Sequence, residues 1–298
     1  MSKAANPATS TETGNNQRAT SPLNGEPIVI RTGFSAQSFR ARDIGPAMDP
    51  LVMVDHYVMT EDTFGTHPHA GLSAVSLILP DSEGRFHNRD SLGSDFDLLP
   101  GDLYWLKAGR GAMHNEMPRA GSRTHGLQVF VNVPQALRYE EPSSLLVRQQ
   151  DMPVLANGQH NVRVAMGESN GVSGAKSPGL PMTILYGQLA KNGSFEHELT
   201  SGRNAWVHVI DGDIDVAAPS DGIRLRKDQA LAIDNSDRGK SITVRISAGN
   251  NHKAQFALLD GQAIKESFVQ RGPFVMGSAD EFETITQAID EGRFGSID

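Results

Sequence analysis

The sequence predicts an all-β protein with two tandem antiparallel barrels and one helix near the C terminus. Three observations support this class. From Ile28 onward, short apolar runs are separated by Gly, Pro, Asn and Asp about every 8–12 residues, which is typical of strands in barrels and sandwiches. The same rhythm occurs in both halves of the chain, on either side of a polar stretch. Clear helical periodicity occurs only in the last part of the sequence.

The first predicted barrel spans residues 27–150 and follows a tail. Residues 1–26 are rich in Ser, Thr, Asn and Ala and contain no aromatic residue. Because such a segment cannot bury enough surface to offset the entropy of ordering, we expect it to be disordered. Residues 72–79 and 127–133 predict strands, the second with clean alternation, and turn residues such as Pro100 to Asp102 lie between them.

A polar stretch, residues 151–180, predicts the connection between the two barrels, because Gly, Asn and Ser are frequent in it. The second barrel is then predicted over residues 181–298. Two tandem barrels account for this pattern better than one very large barrel does. Strand-like runs resume at these positions: 182–187, 206–210, 214–217, 230–233, 241–246 and 256–260.

The C-terminal part of this second unit predicts a helix. Ser278 and Glu281 have the spacing of a capping box, and Phe282, Ile285 and Ile289 form an apolar stripe at helical spacing. A glycine follows at position 292 and is expected to end the helix. The stripe predicts a helix that packs on a barrel.

Composition and charge exclude several classes of function. The chain has 298 residues, a formal net charge of −8 and no cysteine, so disulfides, thiolate metal sites and cysteine nucleophiles are excluded. An acidic protein without a basic run is a poor candidate for direct nucleic-acid binding. The sequence contains no run of about 18 apolar residues and therefore predicts no membrane span. The first residues lack the apolar core of a secretory signal, so we expect a cytoplasmic protein.

Two short pairs of residues predict a metal site. His67 and His69 are two residues apart, and so are His114 and Glu116. Because residues i and i+2 of a strand point to the same face, each pair can present two ligands to one ion. Three imidazoles and one carboxylate would leave one or two positions for substrate, O₂ or water. The competing interpretation makes Glu116 a surface carboxylate and His114 a core histidine with satisfied hydrogen bonds.

Four other side chains have less specific patterns. His56 follows an aspartate and either orients a metal ligand or has a structural role near the mouth of the barrel. Trp105 and Phe130 lie on predicted strands and are expected in the barrel core rather than in a substrate platform. His87 lies in a turn-like region and is expected to be exposed.

Longer blocks of the sequence resemble the pirin family, and the resemblance covers roughly residues 27–296. They are DPLVMVDHY (49–57), HPHAGL (67–72), NRDSLG (88–93), PGDLYW (100–105), AGRGAMHNEMP (108–118), GLQVFVNVP (126–134), GPFVM (272–276) and GRFG (292–295). The resemblance implies two tandem cupin barrels, each a double-stranded β-helix.

Pirins usually bind one metal ion, in most cases iron, in the N-terminal barrel. The residues that match their ligands are His67, His69, His114 and Glu116, so the resemblance implies one divalent ion per chain, Fe(II). The C-terminal barrel of pirins usually lacks a metal. The sequence agrees with this, because no second histidine pair joins His197, Glu198 and His208, and His208 is expected in strand packing or at the surface.

The resemblance implies two alternative functions. Some pirins are similar to quercetin 2,3-dioxygenase, which opens an aromatic flavonol with O₂ and needs a base, for which Glu116 is the candidate. The family usually has a glutamate four residues after the second histidine, where this chain has Ser73, so we expect reduced, altered or absent flavonol activity. The alternative is a non-enzymatic, iron- or redox-dependent regulator that binds a transcription factor or a metabolic enzyme.

Overall fold

The computed structural model describes residues 18–219, 222–237 and 239–297. A short first strand, β1 (Leu23–Asn24), precedes the first barrel. The first barrel contains β2 (Glu26–Ile30), β3 (Phe34–Arg40), the short helix α1 (Ala41–Ile44), β4 (Leu51–Met59), β5 (His67–His69), β6 (Leu72–Ile78), β7 (Phe86–Asp90), β8 (Asp95–Leu98), β9 (Leu103–Lys107), β10 (Ala112–Pro118), β11 (Thr124–Asn132) and β12 (Ser143–Val147).

The second barrel repeats this organisation. Its strands, with a small hairpin formed by β15 and β16, are β13 (Val154–Ala156), β14 (His160–Met166), β15 (Glu168–Ser169), β16 (Val172–Ser173), β17 (Met182–Leu189), β18 (Ser194–Leu199), β19 (Arg203–Asp211), β20 (Asp213–Ala217), β21 (Ile223–Arg226), β22 (Gln229–Asp234), β23 (Ile242–Ala248) and β24 (Ala254–Gln262). A hairpin of β25 (Val269–Arg271) and β26 (Phe274–Met276) and the helix α2 (Glu281–Asp290) complete the chain.

Each barrel is a pair of antiparallel sheets with apolar side chains between them. In the first barrel a seven-stranded sheet, β12-β9-β6-β11-β4-β3-β2, faces a four-stranded sheet, β5-β10-β7-β8. In the second, β1-β22-β19-β24-β17-β14-β13 faces β18-β23-β20-β21. The prediction of two tandem antiparallel barrels with a C-terminal helix is confirmed.

The two barrels share one continuous core along their large sheets. Phe39 of the first barrel meets Trp206 of the second edge to face, with ring centroids 5.1 Å apart. Trp105 is completely buried in this shared core, as expected for a core residue. Burial of large aromatic side chains contributes strongly to such packing. The described helices include none that is long and apolar enough to cross a membrane.

The predicted tail, residues 1–26, is wrong in its last part. Residues 1–17 lie outside the described residues. Residues 18–24 pack on the second barrel, where Leu23 pairs with Ala230 and Arg18 donates from Nη1 to Asn235 Oδ1 at 3.1 Å, and Glu26 already pairs with Ser38 in the first barrel. This order comes from sheet pairing with a distant edge strand, which composition alone does not reveal.

The predicted connection, residues 151–180, is also wrong, because the second barrel begins with β13. Val162 and Val164 on β14 are completely buried, while Arg163 between them remains partly accessible. Polar loop residues surround this short alternating run and dominate the composition of residues 151–180, so composition alone indicates a connection.

The second unit was predicted to extend through residue 298, but the hairpin of β25 and β26 and the helix α2 return to the first barrel. There α2 buries Phe282, Ile285 and Ala288 against Ala70 and Met276. The helix begins at Glu281 rather than just after Ser278, and only half of the predicted capping box forms, with the Ser278 amide donating to Glu281 Oε1 at 2.8 Å. The predicted end is confirmed by Gly292, whose φ is +71°.

Candidate metal centre

The two predicted ligand pairs lie on neighbouring antiparallel strands. β5 pairs with β10 so that His67 is opposite His114 and His69 is opposite Ala112. Glu116 follows two residues later on β10 and is opposite Asn88 of β7. Because side chains two residues apart share a face of a strand, the four side chains point into the same barrel interior. The spacing in the sequence is thus sufficient to explain their common direction.

The three histidine side chains meet at their Nε2 atoms. His114 Nε2 lies 2.9 Å from His67 Nε2 and 2.9 Å from His69 Nε2. His67 Nδ1 donates to the carbonyl oxygen of Gly65 at 2.9 Å, so its proton is on Nδ1 and its Nε2 carries a free lone pair. Two nitrogens that each lie about 2.1 Å from one ion, at right angles, are about 3 Å apart. The triad therefore fits the coordination of one metal ion.

Burial keeps these imidazoles neutral. Desolvation, together with the smaller effect of the neighbouring His67, lowers the pKa of His69 to about 3. The pKa of His114 is lowered well below its ordinary value, and that of His67 is lowered as well, in both cases chiefly by burial. Neutral imidazole is the form that binds metal, so the histidines are in the ligating state at neutral pH.

Glu116 lies beside the triad in a different hydrogen-bonding environment. Its buried carboxylate accepts a hydrogen bond from Ser76 Oγ at 2.7 Å. Burial raises the pKa of this carboxyl to about 7, although the bond from Ser76 opposes the rise. The three histidine nitrogens lie within 4.8 Å of one another, and the carboxylate is outside this group. The four-residue ligand set stays a prediction, for which the structure brings three histidine nitrogens together and places the Glu116 carboxyl in the same cavity.

A cavity of about 740 Å³ opens next to the triad. Phe130 lines it and contacts His69 edge to face, with ring centroids 5.3 Å apart, so this residue forms part of the cavity wall as well as the core. The polar lining away from the triad includes Arg40, Arg42, Asp55, Tyr57, Gln128 and Gln270. The apolar lining includes Ile28, Ile30, Phe34, Met53, Met59, Phe64, Phe86, Phe268 and Val269.

The C-terminal hairpin forms one wall of this cavity, which the sequence did not predict. The Val275 amide donates to the carbonyl of Ala70 at 3.1 Å, next to His69. Gly71, with φ of +72°, allows this approach, because a Cβ atom there would lie 1.9 Å from the Val275 carbonyl oxygen. Phe294 similarly covers Gly111, just before β10. The signals in the sequence were a glycine beside each ligand strand and the C-terminal blocks GPFVM and GRFG, none of which indicates this contact.

Ser73, which the sequence comparison placed where relatives have a candidate base, does not face the metal centre. On β6 the side chain of Ser76 reaches Glu116, whereas Val75 and Leu77 pack in the core shared by the two barrels. Because successive residues of a strand point to opposite faces, Ser73 lies on the same face of β6 as Val75 and on the opposite face from Ser76. The Ser73 side chain therefore points away from the cavity. Its identity therefore does not remove a base from the candidate site.

His56 and His87, for which the sequence allowed other roles, have structural partners. His56 does not orient a ligand; its Nε2 lies 2.7 Å from His125 Nε2, and its Nδ1 lies 3.1 Å from Asp228 of the second barrel. His87 is buried rather than exposed and lies 2.7 Å from Asp95.

In the second barrel, His197 lies between Ser169 and Asp260, and His208 is completely buried. Among the described residues, the only group of three or more potential ligands is the triad of the first barrel.

Comparisons with known proteins agree with this architecture. Residues 30–131 match the family described as Pirin, and residues 184–295 match the Pirin C-terminal cupin domain. A pirin-like protein of Caulobacter vibrioides is 31% identical over 284 residues, covering 91% of this chain and 97% of the relative. Human pirin is 28% identical over 243 residues, covering 81% of this chain and 80% of the relative.

Solved structures share the fold over most of their length. A quercetin 2,3-dioxygenase from Acinetobacter baumannii superposes with a TM-score of 0.81 at 23% identity, covering 94% of this chain and 99% of that one. The bacterial pirin YhhW from Escherichia coli, in complex with nickel(II), has a TM-score of 0.60 at 18% identity, covering 80% of this chain and 96% of that one.

Proposed function

The chain belongs to the pirin family of metal-binding cupin proteins, and from this premise we propose that it is a metal-dependent dioxygenase of the quercetin 2,3-dioxygenase type, acting on a small aromatic substrate with O₂. One observation carries the proposal. Three neutral imidazoles converge at the wall of a largely apolar cavity of about 740 Å³, with a buried carboxyl group beside them. A cavity of this size and composition is typical of sites for small organic ligands.

The cavity walls suit a flat aromatic substrate. Phe130 stands edge to face against His69, and further aromatic and aliphatic side chains line the space around it. Edge-to-face and offset aromatic contacts are favourable in such pockets. We therefore expect an aromatic ring to lie along Phe130 with a hydroxyl group directed toward the triad.

Glu116 is the group that takes up the hydroxyl proton of the substrate in this proposal. A carboxyl group with a pKa of about 7 accepts and returns protons efficiently near neutral pH. A bound divalent metal supplies Lewis acidity that favours the ionised form of a substrate hydroxyl.

We propose Fe(II) as the metal, held by His67, His69 and His114, with Glu116 as the candidate fourth ligand or base. Imidazole suits iron, nickel, copper and zinc alike, and the nickel complex of YhhW illustrates this breadth for the fold. Metal analysis of the natively purified protein tests the assignment. We expect about one iron per chain and its loss in His69→Ala; an intact, folded protein free of transition metal contradicts it.

Oxygen consumption tests the reaction. With the iron-loaded protein and quercetin we expect O₂ uptake that is abolished in His114→Ala. Ser73→Ala is the matched control, because Ser73 is buried on β6 but faces away from the cavity, and this variant should retain the activity. Iron-loaded protein that consumes no O₂ with flavonols or smaller hydroxylated aromatics contradicts the proposed reaction.

The competing function is a regulator whose metal or redox state controls binding to a transcription factor or a metabolic enzyme. One feature favours it: Phe64 is 47% exposed, lines the cavity, and lies 6.2 Å from the ring of His67. A change in the occupancy or redox state of the metal would thus alter the surroundings of an apolar surface residue. Affinity capture with Fe(II)- and Fe(III)-loaded protein tests this function, which predicts a partner bound in only one state.

A further inference from the structure

Two histidines and two aspartates form a row where the barrels meet, here called the inter-barrel row. His56 on β4 and His125 on β11 point to the same face of the sheet, because His125 lies two residues before Leu127, the partner of His56. Their Nε2 atoms are 2.7 Å apart, and their ring centroids are 4.8 Å apart, so the rings meet at their edges. His56 Nδ1 lies 3.1 Å from Asp228 Oδ1 of the second barrel. At the other end, His125 Nδ1 lies 2.8 Å from both carboxylate oxygens of Asp81.

The two carboxylates determine where the ring protons of this row lie. A carboxylate only accepts hydrogen bonds, so the Nδ1 atom of each imidazole carries a proton and donates it. A neutral imidazole has a single N–H group, so two neutral rings would each present a lone pair at Nε2. These lone pairs would face each other at 2.7 Å, a hydrogen-bond distance, with no hydrogen between them. One additional proton between the two Nε2 atoms removes this repulsion.

The geometry of the row favours a proton over a metal ion at this position. Two nitrogens that share one ion at about 2.1 Å are about 3 Å apart or more, which is longer than the distance between these rings. Among the described residues, no third potential ligand atom joins these two nitrogens. The row also supplies its own negative charge at both ends. The pKa of Asp228 is lowered, chiefly by the hydrogen bond from His56, so this carboxyl is ionised at neutral pH.

The groups around the two rings limit the row to one extra proton. His208 of the second barrel is completely buried, and its ring stands edge to face against His56 with centroids 4.8 Å apart. Burial, and then the charge on His56 and His125, lowers the pKa of His208 well below its ordinary value, so it stays neutral. Arg123 and Lys227 are the nearby cations. The pKa of His125 is lowered, first by burial and next by His56, so the pair resists a second proton.

We infer that His56 and His125 share one proton, and that this proton holds the inter-barrel row together and is released as the pH rises above neutrality. On release, one N–H bond breaks, the proton passes to water, and the electron pair stays on the nitrogen. The two rings then separate, because their lone pairs face each other. The contact with Asp228 is the one expected to open, since it is the longest in the row and Asp228 has a φ of +65°, which is unfavourable for a residue with a Cβ atom.

The inter-barrel row lies behind the wall of the metal-centre cavity. Asp55 and Tyr57 of β4 line that cavity, and His56 lies between them. Because successive residues of a strand point to opposite faces, the row fixes the outer face of a strand whose inner face shapes the cavity. The inference concerns the joint between the barrels and does not depend on the proposed reaction.

Counting the imidazole N–H groups by NMR tests the shared proton. In protein labelled with ¹⁵N-histidine at pH 7, we expect three N–H groups on the two rings, two at Nδ1 and one between the Nε2 atoms, the last with a strongly downfield ¹H shift. His56→Gln assigns the signals. Only two N–H groups on the two rings overturn the inference. A central N–H that appears only after treatment with a chelator also overturns it, because a metal ion would then hold the nitrogens.

Two conservative variants remove the need for the extra proton. In Asp81→Asn the amide donates to His125 Nδ1, so the ring proton moves to Nε2 and the two rings form a neutral donor–acceptor pair. Asp228→Asn has the same effect on His56, and asparagine tolerates the positive φ at this position. We expect two N–H groups on the two rings in each variant. Three N–H groups in both variants contradict the assigned role of the carboxylates.

Hydrogen exchange at the turn that carries Asp228 tests the opening of the row. The Asp228 amide donates to the Val209 carbonyl at 3.0 Å. From pH 7 to pH 9, after correction for the intrinsic exchange rate, its protection should fall roughly tenfold in the wild type, the effect of losing one hydrogen bond to a charged group. In Asp81→Asn it should stay constant, and Asp95→Asn, which alters the contact with His87 outside the row, should behave like the wild type. Constant protection in the wild type, or an equal fall in Asp81→Asn, overturns the inference.

Discussion

Replacing Glu116 with glutamine should change how the stability of the metal-free protein depends on pH. Burial raises the pKa of the Glu116 carboxyl from an ordinary 4.5 to about 7 in the folded protein. Between these two values the folded state binds a proton that the unfolded state has released, so folding loses stability as the pH rises through this window. A glutamine has no such proton, and Glu116→Gln should be free of the loss.

The magnitude follows from the size of the shift. About 2.5 pKa units at about 1.36 kcal/mol each correspond to roughly 3 kcal/mol of folding free energy for a fully buried group. The stability gained by the substitution is the free energy of unfolding of Glu116→Gln minus that of the wild type. This difference should therefore be larger by about 3 kcal/mol at pH 8 than at pH 4.5. The buried histidines also make the stability depend on pH, because their lowered pKa values destabilise the folded protein as the pH falls below 6.5. Such contributions from other groups are common to both proteins and cancel in this difference.

Urea unfolding of both proteins after treatment with a chelator, at several pH values, provides the measurement. The Ser73→Ala protein serves as a control, since its difference from the wild type should not depend on pH. A difference between Glu116→Gln and the wild type that stays constant from pH 4.5 to 8 would refute the reasoning, because it would show that Glu116 is not desolvated in the folded protein.

Three further changes test how the C-terminal segment and the barrel interface support the site. Phe294→Ala should lower the free energy of unfolding by about 3–5 kcal/mol and weaken metal binding, because the ring packs on Gly111 just before the ligand strand; thermal unfolding and metal titration measure this. Gly71→Ala should displace the hairpin from Ala70 and lose metal affinity, measured by equilibrium dialysis, whereas Gly121→Ala, with open space around it, is a control of similar backbone conformation. Asn204→Ala should cost about 1–3 kcal/mol in urea unfolding, because its Nδ2 donates to two carbonyl groups of the first barrel.

The direction of the candidate ligands could be predicted because it depends on local geometry. His67 and His69 share a face through the period of two in a strand, and so do His114 and Glu116. Pairing of β5 with β10 brings the two pairs together. The different position of Glu116 could not be predicted, since it depends on Ser76, which is 40 residues away in sequence and lies in the facing sheet.

The boundaries of the units were harder to predict because they depend on contacts between distant parts of the chain. Leu23 lies in a polar segment, and its place in the fold depends on its pairing with Ala230 and its packing against the shared core. The C-terminal hairpin has the local pattern of a surface turn, and its role becomes visible only when Val275 meets Ala70. The position of Ser73 in the motif is visible in the sequence, but its direction away from the cavity depends on which face of β6 packs in the shared core.

The return of the last segment to the first barrel makes that segment comparable to a tethered ligand. Through its covalent link it reaches the ligand strands at an effective concentration in the millimolar range, so individually modest contacts at Ala70 and Gly111 are sufficient to keep it bound. A cut between β24 and β25 would turn this into a bimolecular association. The fraction of protein with this cavity wall in place would then depend on the concentration of a free peptide of residues 263–298. Metal affinity measured with the peptide added in trans would follow the binding curve of the peptide.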